Sequence, residues 1–181
     1  MSDTLITIVA ILLATVLMFI FPLLSVSERS DDISQLSVQT ATAEFVDNSR
    51  TIGKITEQNY TEMVSKINAT GNAYDVEMEV KILDENIGKK SAWTQGTVIG
   101  ENVYYSVYTS QIVEVLEDRE NKYHSNGVYT MKEGDIFSVS VKNTNKTLSQ
   151  TIRGVFYSIS GSDVYTIAAQ HSGVVTANGS Y

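Results

Sequence analysis

The chain reads as an α+β protein: one long N-terminal helix, membrane-spanning in its first half and amphipathic in its second, followed by a small, mostly antiparallel sheet with two or three helices. Three observations predict this. Leu5 to Leu24, LITIVAILLATVLMFIFPLL, runs for twenty residues without a charge. Val26 to Ile52 contains neither Pro nor Gly and spaces its apolar residues near a helical period. Beyond Gly53, segments of apolar/polar alternation are separated by turn residues.

The apolar run comes first. At about 1.5 Å per residue it makes a helix of roughly 30 Å, the thickness of a bilayer's hydrocarbon core. A cleaved signal peptide has a basic leader and a shorter core. Met1 to Thr4 carries no Lys or Arg, so a retained membrane helix is expected. Pro22 lacks an N–H and is expected to kink this helix near its end. Ala10 and Ala14 lie at i and i+4, with Thr7 and Thr15 nearby. Small residues at that spacing let helices approach closely in lipid, which makes Ala10, Ala14 and Pro22 the candidate helix-packing residues.

The amphipathic half carries Ile33, Leu36, Ala41, Phe45 and Val46 as its expected buried face, and Gly53 supplies a stop. A break at Ser25 to Asp32, where SVSERSDD is rich in capping residues, is the alternative. The organisation is then a transmembrane anchor over 1–25, its amphipathic continuation over 26–53, and a head domain over 54–181.

In the head, Thr56 can cap a helix from Glu57 to Ala69 whose buried face is Tyr60, Met63, Val64 and Ile67. Tyr74, Val76, Met78, Val80 and Ile82 alternate with Asp75, Glu77, Glu79 and Lys81, which predicts a half-buried strand. Val103 to Tyr108 alternates again, and Thr109 or Ser110 can cap a short helix carrying Ile112, Val113, Val115 and Leu116. Asp84 to Thr94 and Glu117 to Gly127 read as polar loops. Val128 to Met131 and Ile136 to Val141 read as a hairpin across Lys132-Glu133-Gly134-Asp135. Leu148 to Ile159 has the spacing of an amphipathic helix, and Val164 to Val175 that of a last strand.

Composition narrows the function. The net charge is −8, none of it in the apolar run, which disfavours nucleic acid and anionic lipid headgroups as partners. There is no cysteine, which excludes disulfides, thiolate metal sites and a cysteine nucleophile. The phosphate-loop, dinucleotide, zinc-protease and serine-elbow motifs are all missing from the sequence. Asp84, Glu85 and Asn86 lack the spacing of a calcium loop. Glu77 and Glu79 share the wet face of a strand. His171 and Ser172 are adjacent in a strand and so point to opposite faces. No catalytic residue, cofactor, metal site or small-molecule substrate is therefore expected, and the chain is not expected to be an enzyme. Tyr104, Tyr105 and Tyr108 form the candidate interface, since exposed tyrosines offer contact area at low entropic cost, although they equally suit a sheet core. Four Asn-x-Ser/Thr triplets, at Asn59, Asn68, Asn145 and Asn178, read as chance in a chain rich in Asn and Thr.

The layout of a hydrophobic helix, a proline near its outer end, an amphipathic half and an α+β head resembles that of pilin-like proteins. The stretches SERSDDISQLSVQTATAEFVDNSRTIGKIT, ATGNAYDVEMEVKILDEN and KEGDIFSVSVKNTN are similar to pseudopilin-like membrane proteins of tight-adherence (Tad-type) pilus loci in Gram-positive bacteria. The resemblance implies a single-pass membrane protein with its C-terminal domain outside the cytoplasm. It also implies self-association or contact with other pilus-assembly proteins, and a place in a surface filament or its assembly machinery. A pilin helix carries an early glutamate for pairing with a neighbour. Leu5 to Leu24 has none, so the resemblance points to a minor or accessory component. An anchored adhesin or sensor is the alternative.

Overall fold

In a computed structural model, which describes residues 2–84, 103–118, 126–157 and 167–180, the chain is α+β with antiparallel sheets. Helix α1 (Ser2–Ile52) is one element of 51 residues. It runs through Pro22 and through 25–32 without interruption, so the apolar run and its amphipathic continuation share a single backbone. Pro22 removes one intrahelical bond, to the carbonyl of Met18, and the flanking bonds hold the helix. In the apolar half of α1, threonine hydroxyls are spent internally: Thr7 donates to the Asp3 carbonyl and Thr15 to that of Ile11, each at 2.8 Å. Both hydroxyls are thus satisfied within the helix, without water.

Gly53 ends α1 in the left-handed region at φ +69°, where a Cβ would run into the backbone of Ala177. The Met131 amide donates to the Gly53 carbonyl (2.7 Å) and the Thr176 amide to that of Arg50 (3.0 Å). The C-terminal stretch thus crosses the helix exit, and it and Met131 between them satisfy carbonyls that the helix end leaves open.

After the stop come β1 (Lys54–Thr56), α2 (Glu57–Asn68), β2 (Tyr74–Leu83), β3 (Tyr104–Tyr108) and α3 (Thr109–Leu116). Then follow β4 (Val128–Thr130), β5 (Ile136–Asn143), α4 (Leu148–Tyr157) and β6 (Ala168–Val174). The Thr56 hydroxyl caps α2 as expected, accepting from the Asn59 amide. Four strands form an antiparallel sheet in the order β3-β2-β5-β6, and β1 pairs with β4 in a separate ribbon. The expected hairpin of β4 with β5 is therefore wrong. Both edges of β5 are taken, with Val139 between Met78 of β2 and His171 of β6, and β4 instead sets Tyr129 opposite Ile55 of β1. The 132–135 turn is present, but the buried Asp135 carboxylate accepts from the Lys132 amide (2.8 Å) and the Leu83 amide (3.1 Å). That clamp ties the turn to the end of β2.

The core lies between the inner sheet face and the second half of α1. Phe45 makes an edge contact with Phe137 of β5, centroids 5.7 Å apart, and a tilted one with Tyr60 of α2 at 6.4 Å. Val38, Ala41 and Val46 are buried beside it, as are Met78, Val80, Val139 and Val141 of the sheet. Two residues expected on this face are not there: Ile33 and Leu36 are each 65 % exposed. The buried stripe of α1 runs instead through Ser27, Asp31 and Ser34 before it becomes apolar at Val38. At that height α1 meets the polar start of α4, so the side chains facing the head are polar.

Candidate functional site

The described residues bring together no catalytic constellation and no group of three or more His, Cys, Asp or Glu that could hold a metal. The surfaces that can act are the faces of α1 and the outer sheet. Ala10, Ala14 and Pro22 are exposed on α1, with no part of the head against them. At steps of seven residues, Ala10 leads through Leu17 and Leu24 to Asp31, Val38 and Phe45. A straight helix drifts about 20° at each such step, so by Val38 the line has moved roughly 80° and the small-residue face is offset around α1 from the face that carries the head.

Where that face meets α4, the contact is built from polar groups. Thr147 and Gln150 form a capping box: the Thr147 amide donates to Gln150 Oε1 (2.9 Å) and the Gln150 amide to Thr147 Oγ1 (3.3 Å). Asp31 of α1, 6 % exposed, accepts from the Thr147 hydroxyl at 2.7 Å and from the Ser149 hydroxyl. A carboxylate at a helix N-terminus also meets the favourable end of its dipole. One turn earlier on α1, Glu28 pairs with Arg153 through Nη2 (2.5 Å) and Nε (3.1 Å). Sequence reading missed Asp31, because an acidic residue between a membrane span and an apolar stripe looks solvated. The T-x-x-Q signature of the cap was there to be found.

Higher on α1 the helix covers a sheet edge. The Gln35 carboxamide donates to the Ala168 carbonyl (2.6 Å) and accepts from its amide (2.9 Å), acting as one more strand residue along β6. Asp47 is bonded by Arg50 Nε (2.7 Å) and faces His171 Nε2 (3.3 Å). These two bonds, Arg50 first, hold its carboxyl below the usual range. His171 is thus a strand residue on the inner face, and Ser172 is exposed on the other. His124, Glu85 and Asn86 lie outside the described residues.

The tyrosines are all exposed but do not form one patch. Strand alternation places Tyr104 and Tyr108 on the outer sheet face and Tyr105 on the inner one, opposite Ile82. Tyr108 borders a shallow depression of about 680 Å³ on the outer face, lined also by Glu77, Ser138, Ser140 and Gln170. Glu79 is engaged there by the Ser106 hydroxyl at 2.7 Å. A second depression, about 460 Å³ and mostly apolar, lies between α1 and the end of α2, lined by Val26, Arg29, Ile33, Lys66 and Thr70.

No protein-family model, curated protein or solved structure matches this chain. Of its relation to a membrane, one statement follows directly: α1 is long and apolar enough to cross one, and the apolar window is bare of protein contact. Leu5, Leu12 and Phe19 are each more than 60 % exposed.

Proposed function

We propose that the chain is a non-enzymatic, pilin-like structural component of a cell-surface filament or of its assembly machinery. It is held in the membrane by α1 with its head outside the cytoplasm. One observation carries the reading: a single helix is bare and apolar over its first half and built into an α+β head over its second. Such a helix transmits any packing of the apolar half to the head without a hinge. An acidic head rich in Thr, Ser, Asn and Tyr is compatible with the cell exterior. The test is imaging and crosslinking of the protein in its native cell. Filaments or assembly partners that contain it are expected, and a dispersed monomer with no partner would overturn the reading.

A second reading, an anchored adhesin or sensor, is favoured by Tyr104 and Tyr108, which are both exposed on the outer face. Tyr104→Ala with Tyr108→Ala separates the two. Loss of surface binding with assembly intact supports the adhesin, and loss of neither removes the tyrosines from both accounts.

A further inference from the structure

The depression on the outer sheet face has its cause in the strand sequences. The inner strand β5 carries Ser138 and Ser140 on this face. Glu79 and Glu77 of β2 stand opposite them on one side, and Gln170 of β6 stands opposite Ser140 on the other. Two short side chains between longer ones leave a trough along β5, about 680 Å³ in volume. Met78 and Val139 line it too, but their side chains are buried on the inner face, so its floor is backbone. The fold makes no use of most of this polar lining. Among the described residues, the side chains of Glu77, Ser138, Ser140, Lys142 and Gln170 make no hydrogen bond or ion pair. Lys142 is opposite Asp75 and diagonal to Glu77, and pairs with neither. Elsewhere on the head such groups are engaged: Asp135 in its turn, Asn145 with Asn72.

We propose that this trough binds a neutral saccharide of a cell-surface glycan. The chemistry of the lining selects that class. Protein interfaces are depleted in Ser, Glu and Lys, and this patch is made mainly of them. Glu77 and Glu79, in a chain of net charge −8, repel phosphate, nucleic acid and sialylated sugars. A sugar hydroxyl both donates and accepts. The carboxylates of Glu77 and Glu79 accept from it, Lys142 donates to it, and the Gln170 carboxamide and the serine hydroxyls do either. Tyr108, opposite Glu79 and 58 % exposed, offers an aromatic plane for the C–H face of a pyranose ring.

The dimensions agree. Strands lie about 4.8 Å apart and alternate residues about 7 Å apart along a strand. The rows Glu77–Ser140–Gln170 and Tyr108–Glu79–Ser138 therefore span the footprint of one or two sugar rings. β5 is paired on both edges, and Glu79 is already held by the Ser106 hydroxyl at 2.7 Å, so the polar groups stand on a rigid support before a ligand arrives. The proposal deepens the adhesin reading, on which it rests for its place at the cell surface, and it does not depend on a filament.

The test is an array of immobilised neutral, N-acetylated and sialylated glycans, probed with the full-length protein. The detergent is zwitterionic, because a maltoside headgroup would compete for the trough. Binding to one or more neutral glycans is expected. Ser140→Arg fills the trough from its centre and should abolish that binding. Glu77→Ala and Gln170→Ala, both on exposed residues, should each weaken it roughly five-fold or more through lost hydrogen bonds. Glu133→Ala, in the exposed 132–135 turn, should leave it unchanged. Should Ser140→Arg not fold, the two alanine variants decide. Neutral glycans bound no better than by Ser140→Arg, binding that the alanine variants leave intact, or binding confined to sialylated glycans overturns the proposal. Glycan binding by the purified protein, with no adhesion of the cell that displays it, supports the trough and counts against the adhesin reading. Adhesion without glycan binding overturns the trough and leaves that reading standing.

Discussion

Asp31 shows how a single residue sets the junction of stem and head. It is buried, yet two hydroxyls and a helix N-terminus stabilise its charge. Asp31→Ala removes the acceptor that the Thr147 and Ser149 hydroxyls share and leaves them only each other at 3.2 Å, and a loss of about 2 kcal/mol in unfolding free energy is expected. Asp31→Asn retains one acceptor oxygen and should lose less. Denaturant titration of the full chain in detergent measures both.

Tyr129 makes a prediction about pH. Burial, and after it the charges of Asp135 and Tyr105, push its phenol up to about 12. An unfolded tyrosine ionises near pH ~10. The folded state keeps the proton longer than the unfolded one, so this contribution is fully present below pH ~10 and is lost as pH rises toward 12. Tyr129→Phe should flatten the alkaline fall in stability, read as the denaturation midpoint between about pH 9 and 12.

Among the elements, the exit of α1 is the most constrained. Gly53→Ala adds a Cβ at positive φ against the Ala177 backbone, and a loss of more than about 2 kcal/mol is expected in thermal or denaturant unfolding. Tyr104→Ala and Tyr108→Ala, on an exposed strand, should each change stability by no more than about 0.5 kcal/mol. Any loss of binding or assembly in those variants would then be a surface effect.

The alternation of Tyr74 to Ile82 and the Thr56 cap were readable because each is a local rule obeyed locally. The β1–β4 ribbon was not readable. Lys54 to Thr56 is too short to show a period, and its partner lies more than seventy residues away. The face of α1 was half readable. Val38 to Val46 follows the apolar rule. Ser27, Asp31 and Ser34 are buried polar residues that hydropathy assigns to water, and Ile33 and Leu36 are apolar residues that the head leaves exposed. The candidate tyrosines were visible as a cluster in sequence, and strand alternation divides them between two faces.

On the scale of the whole molecule, the apolar half of α1 and the head are separate stability units. The core begins at Val38 and takes nothing from Leu5 to Leu24. A chain shortened to 26–181 should stay in solution without detergent and keep the circular dichroism and cooperative unfolding of the head. An unfolded or aggregated fragment would show that the span contributes to the fold.

The sequence by itself determined the span-length apolar run, the length of α1, the strand faces and the α+β class, because apolar run length, period and glycine stops act within a few residues. Only the tertiary structure decided which strand β4 joins and which side of α1 faces the head. Those outcomes depend on which edges and helix ends are already occupied.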